Sequence, residues 1–263
     1  MWWKLYLLEY KRILRKPWLT VFLFSLYLIY ALLIIYAINI ISGLEIFTHS
    51  SLNISDYLKF PLAWATAAWL ASYLAPLWLI LAIIVLGDTN IFSRNLSVRK
   101  KVLTGKLGFI FTIPFDWTLT SLLAGYLLGS HWGHYPIHFF DYQTIGLFIQ
   151  MLSYMIISLL LIALFRKASA AILAFFGYFI IEAVIRKILL ALNILIAYYL
   201  PAKVMTSLVP PPAADFISGA VYNDFAAQIP LPFWLNVFLS VSYTIIFLII
   251  ALKIINSSKP NKL

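Results

Sequence analysis

Cysteine is absent from this 263-residue chain, and acidic residues number nine against 19 lysines and arginines. Without cysteine there is no disulfide framework, so a small secreted scaffold is excluded. Charge of either sign is scarce. Only 11% of the residues are Asp, Glu, Lys or Arg, where an ordinary globular chain carries roughly 25%. So few charges cannot cover a water-facing surface, which excludes a soluble enzyme and, despite a pI near 9.7, a nucleic-acid binder. Catalytic signatures are missing too. There is no H-E-x-x-H, no G-x-S-x-G and no glycine-rich loop ending in Lys-Ser/Thr, so the chain is expected to be no enzyme and to need no cofactor of its own.

What the sequence has is apolar bulk: 63% hydrophobic residues, with 20 Phe, 16 Tyr and 9 Trp, and a mean hydropathy of +0.96. The solvent for such a chain is lipid, and the fold class follows as an all-α polytopic membrane protein. Gaps between charges locate the spans. Lys16 to Glu45, Lys59 to Asp88 and Asp224 to Lys253 each enclose 28 uncharged residues, and Asp116 to Asp141 and Asp141 to Arg166 enclose 24 each. A helix needs about 20 residues to cross the hydrocarbon layer. Spans are therefore expected near 18–41, 61–87, 106–128, 144–165 and 232–253, with a sixth at 168–186 that is interrupted by Glu182. No internal repeat and no soluble domain is evident, so residues 17–256 read as one transmembrane domain, followed by a tail at 257–263.

Six crossings put both termini on one side, and the basic residues say which. Lys4, Lys11, Arg12, Arg15 and Lys16, the cluster Arg94, Arg99, Lys100, Lys101 and Lys106, the pair Arg166 and Lys167, and Lys253, Lys259 and Lys262 all fall together. That is 15 of the 19 basic residues, which makes this side cytoplasmic by the positive-inside rule. A cleaved signal peptide is not expected, because the first apolar run is too long for one.

Shorter segments carry their own patterns. In residues 1–16, Trp2, Trp3, Tyr6, Tyr10, Ile13 and Leu14 share one helical arc and the charges share the opposite one. This is the pattern of an amphipathic helix lying flat against membrane lipids, with Pro17 at the bend into the first span. The stretch Asp88–Lys106 is the most polar in the chain and reads as a cytoplasmic loop or short helix with exposed basic side chains, capped by Asp88 or Thr89. Between the last two spans, Ile188–Leu200 and Ala213–Ala227 are too short to cross and are expected to be re-entrant or interfacial helices.

Three sets of polar residues are candidates for chemistry. Asp116, in the middle of the third span beside Pro114, is expected to face the bundle interior, a cavity, or be protonated, since a carboxylate at bilayer centre costs about 2.5–3.5 kcal/mol. Glu182 and Arg186 have the i, i+4 spacing of an intrahelical ion pair. His131, His134 and His138 have a spacing that allows a metal, but Gly133 and Pro136 oppose the helix that would aim the rings together, so no metal site is expected.

The combination of a flat N-terminal helix, six spans with both ends inside, a polar loop after span 2 and re-entrant helices before span 6 resembles the membrane subunit of an ATP-binding cassette transporter, in the type-2 exporter permease family. The loop strengthens the resemblance. Asp88 and Thr89 stand near its start, Ser97 and Arg99 further along and Lys106 at the head of span 3, with Arg94, Asn95 and Lys100 between. The resemblance implies that this loop couples to a separate nucleotide-binding ATPase subunit, which holds ATP and Mg. It also implies a second permease copy, as a homodimer or related heterodimer, and a prokaryotic plasma (inner) membrane as the location. Two other classes stay open: an ion- or proton-coupled carrier or channel using Asp116 and Glu182, and a membrane-embedded enzyme or assembly factor built on the histidine loop.

Overall fold

A computed structural model of the chain describes residues 11, 15–48, 56–87, 96–130, 142–209 and 231–257. Among these residues there is no strand. The helices are α1 (Pro17–Thr48), α2 (Asp56–Gly87), α3 (Leu96–Ser130), α4 (Tyr142–Phe165), α5 (Ala168–Ala191), the short α6 (Pro201–Thr206) and α7 (Phe233–Ser257), with a 3-10 turn at Leu195–Tyr198 before α6. All but α6 contain a stretch long and apolar enough to cross a membrane, which gives six spans.

Chain direction alternates from span to span. On α2 and α3, Val85 meets Lys106, Ala71 meets Trp117 and Trp64 meets Gly125, a run that only antiparallel neighbours produce. The α4 and α7 helices run parallel, since Tyr142 stacks edge-on to Phe233 while Ser153 bonds Thr244 further along both helices. One end of the bundle thus collects the ends of α2, α4 and α7 and the starts of α1, α3 and α5; the other collects α6 and the opposite termini.

Packing follows single stripes. On α1 the buried residues Leu19, Leu23, Leu26, Tyr30, Ile34 and Ala37 recur every three or four positions, while Val21, Phe24, Leu28 and Leu32 point outward. Such large apolar residues on the outside are what lipid as solvent permits. The α2 helix is central and packs most extensively on α3 and α4. Its fully buried Ala67, Ala71 and Ala75 bring backbones close enough for side chains to reach backbone carbonyls. The Tyr30 hydroxyl donates to the Ala67 carbonyl at 3.1 Å and the Trp117 indole N–H to that of Ala71 at 3.1 Å. Tyr27, Trp78 and Trp117 pack ring against ring beside them, with centroids 5.2–5.8 Å apart, so α1, α2 and α3 are sewn together by aromatic residues.

Three expectations need correction. The helix carrying the third span begins before 106: α3 runs back to Leu96, so Arg99, Lys100 and Lys106 lie on its first three turns, and Arg99 and Lys106 are buried there instead of exposed. The fifth span does not end at 186 either. It continues to Ala191 and stops in a Schellman motif, with Asn193 at φ 57°, the Ile194 N–H on the Leu189 carbonyl at 2.9 Å and the Asn193 N–H on Leu190 at 3.0 Å. Ile188–Leu200 is therefore no helix of its own; the segment that folds back is the 3-10 turn together with α6. The flat helix over 1–16 lies outside the described residues apart from Lys11, Arg15 and Lys16, and Ala213–Ala227 and the tail beyond Ser257 lie wholly outside them.

The returning segment is seated firmly. Val204, Met205 and Leu208 are fully buried, and a Cβ on Gly146 of α4 would run into the Leu208 carbonyl. Gly146→Ala is therefore expected to destabilise the fold by about 1–3 kcal/mol through overpacking against backbone. Gly177→Ala is the control: nothing lies within 4 Å of that added Cβ, and the exposed α5 helix gains up to ~1 kcal/mol of propensity. Thermal unfolding in detergent should move the two variants in opposite directions.

Candidate functional site

Helix ends inside a membrane protein leave carbonyls without partners, and a cation is the natural group to satisfy them. At the end of the bundle where α3 begins, two do so. The Arg99 guanidinium, 4% exposed, donates to the Ile255 carbonyl at 3.2 Å and to that of Asn256 at 3.5 Å, in the last turn of α7. One helical face further along, the Lys106 ammonium, 1% exposed, donates to the Val85 carbonyl at 3.0 Å, in the last turn of α2. The head of α3 is thereby fastened to the ends of the second and sixth spans. Lys100 and Lys101 remain exposed on the same turns. Asp88, Thr89, Arg94 and Asn95 lie outside the described residues, as does the side chain of Ser97.

The middle of the bundle holds a polar seam. Asn236, Ser240 and Thr244 of α7 are all buried, at i, i+4 and i+8, and face α4, where Gln150 and Ser153 are buried too. The Ser153 and Thr244 hydroxyls are 2.7 Å apart, and each is also within reach of a carbonyl of its own helix, Ile149 and Ser240, so one hydroxyl donates across the seam while the other donates within its helix. The Gln150 side-chain oxygen and the Ser240 hydroxyl have no hydrogen-bond partner among the described residues. Outward, α7 shows Phe238, Ile245, Ile246 and Ile249. Polar inside and apolar outside is the arrangement expected where lipid is the solvent. The i, i+4, i+8 spacing on α7 was readable in the sequence and is the signal that would have found this seam.

Asp116 is not part of the seam. It is half-buried on the flank of α3, next to the exposed Phe115 and Leu119, and its carboxylate has no partner among the described residues. Of the three settings expected for it, the bundle interior, a cavity or a protonated state, the fully buried interior of this chain is not the one it occupies.

At the opposite end, Glu182 caps α6. Its carboxylate, on a residue 7% exposed, accepts from the Ala202 N–H at 3.0 Å and the Lys203 N–H at 2.9 Å. Each oxygen accepts from one backbone amide, while the Arg186 Nε has no hydrogen-bond partner among the described residues, so the expected pairing through that nitrogen is not made. The first amides of α6 are orphan donors at a helix start, and such donors bind a carboxylate strongly. Glu182 lies nine residues before the end of α5, so at 1.5 Å per residue α6 begins roughly 14 Å back along that helix.

Beside this cap, Glu182, Arg186 and Lys203 line a cleft of about 170 Å³, with Phe179 and Thr206 on its walls. Burial, and secondarily the nearby Arg186 charge, hold the Lys203 ammonium down from 10.5 to about 8. A lysine lowered in this way opposes folding by its own charge below about pH 8, and the penalty fades as pH rises from there toward 10.5. The histidines at 131, 134 and 138 lie outside the described residues, and no cluster of three metal-ligating side chains occurs among the described ones.

No family model, curated protein or solved structure matches the chain, so the function must be argued from these residues alone.

Proposed function

We propose that the chain is the permease subunit of an ATP-binding cassette transporter, working with a separate ATPase that holds ATP and Mg. In this proposal it lies in a prokaryotic plasma membrane with both termini in the cytoplasm and pairs with a second permease copy. The observation that carries the proposal is the fastening of α3 by Arg99 and Lys106. A push on the segment between α2 and α3 reaches three spans at once, because the head of α3 is bonded to the ends of α2 and α7. A subunit driven mechanically by a partner needs such a joint.

Two further features support it. Asp116 stands at mid-span on the flank of α3 without a side-chain partner among the described residues, where facing lipid costs about 2.5–3.5 kcal/mol; a second copy covering that flank removes the cost. Glu182, the other acid that a proton-coupled carrier would use, is occupied by two backbone amides.

Co-expression with a soluble ATPase encoded beside it tests the proposal. The two should co-purify, and ATP hydrolysis by the reconstituted complex should respond to the permease. Lys100→Glu combined with Lys101→Glu reverses exposed charges without touching the fastening, so it should cut that response at least about tenfold, equivalent to 1.4 kcal/mol of coupling, at an unchanged melting temperature. Transport by the purified chain alone, without any ATPase, would overturn it.

A further inference from the structure

The cleft between α5 and α6 belongs to the end of the bundle away from the α3 joint, and its charges are unbalanced. Two cations, Arg186 and Lys203, and one acid, Glu182, line it. The acid's two oxygens each accept from one backbone amide, of Ala202 and Lys203, and its single negative charge leaves one of the two cations in excess. The Arg186 Nε is buried without a hydrogen-bond partner among the described residues. The Arg186 charge lies near enough to act on the Lys203 ammonium. Like charges held together in a partly desolvated cleft cost free energy that an anion would recover, and a guanidinium beside an ammonium suits the oxygens of a phosphate.

Size and surroundings narrow the ligand. A volume of about 170 Å³ corresponds to roughly five or six water molecules at ~30 Å³ each, enough for a phosphate ester and too small for a whole lipid. Next to the cleft, α5 exposes Ile181, Val184, Ile185 and Ile188 in an unbroken apolar face. Acyl chains attached to a phosphate in the cleft would lie along that face, in the lipid that already surrounds it. We infer that the α5–α6 cleft is a binding site for the phosphate headgroup of an anionic phospholipid, held by Arg186 and Lys203. This site is independent of the proposed coupling to an ATPase.

Native mass spectrometry in detergent, titrating phosphatidylglycerol against phosphatidylcholine, tests the inference. Wild-type protein should retain phosphatidylglycerol in preference, and the combined variant Arg186→Gln and Lys203→Gln should weaken that retention at least about tenfold. Phosphatidylcholine binding should not change. Inorganic phosphate forms a separate arm: displacement of the lipid by millimolar phosphate would assign the cleft to the free ion rather than the headgroup and overturn the lipid assignment. If the double variant unfolds, Arg186→Lys serves instead, since it keeps the charge but loses the planar fork and should weaken binding by a smaller factor. Equal retention of phosphatidylglycerol by wild type and folded variants would overturn the site.

Discussion

Glu182→Ala is expected to lower the stability of the protein by roughly 3–5 kcal/mol, because two buried backbone donors lose a charged acceptor at once and each such loss costs about 1–3 kcal/mol. The Ala202 and Lys203 amides have no alternative: they are the opening donors of a six-residue helix whose N-cap, Leu200, provides no side-chain hydrogen bond. Losing the cap should also free the segment it holds. Residues 192–200, between the end of α5 and α6, are expected to become protease-sensitive before the bundle melts. Glu182→Gln separates charge from geometry, since the amide keeps one acceptor oxygen; it should lose about half as much. A Glu182→Ala variant that melts like the wild type in detergent and resists cleavage at 192–200 would show that burial of Val204, Met205 and Leu208, rather than the carboxylate, seats α6.

Glu182 also shows where the sequence stops being informative. Its presence in an apolar helix marks it as costly and therefore partnered, and that much holds. The i, i+4 rule then points to Arg186, because local spacing contains no information about a segment 20 residues away that folds back along the same helix. The same limit explains Arg99 and Lys106. Charge density places Arg99 in a polar loop or short helix with exposed side chains and Lys106 at the head of the third span, yet both are buried, because a cation that meets the carbonyl end of another helix is stabilised at a depth where composition alone expects only apolar residues. The spans themselves were legible, since gaps of 24 or 28 uncharged residues have one physical solution in lipid. The helices run past several of the expected bounds, by ten residues at the start of the third and by four to seven at the starts or ends of the first, second, fifth and sixth. Asn236, Ser240 and Thr244 were legible as a stripe; that they meet Gln150 and Ser153 on α4 was not, because pairing between spans depends on topology.

Arg99→Ala is expected to cost about 2–4 kcal/mol: a charged hydrogen bond in a buried setting contributes about 1.5–3 kcal/mol, and the buried stem adds packing. The loss is local in origin. Carbonyls at Ile255 and Asn256, in the last turn of α7, lose their donor, while the Ser153–Thr244 contact lies more than two helical turns away. Hydrogen exchange should therefore accelerate first at residues 253–257 and leave the centre of α7 protected. Arg99→Lys keeps the charge but cannot present two N–H groups in a fixed fork, so it should recover only part of the stability. Lys106→Met is the companion variant on the other tie. It removes the donor to Val85 while keeping a buried side chain of similar length, so exchange should quicken at the end of α2 and not at the end of α7. If both variants loosen the same amides, the two cations act through one shared rearrangement rather than as separate ties. In an ATPase-coupled complex, separate ties predict that each variant weakens the response to nucleotide and that the double variant abolishes it, because α3 would then move without α2 and α7.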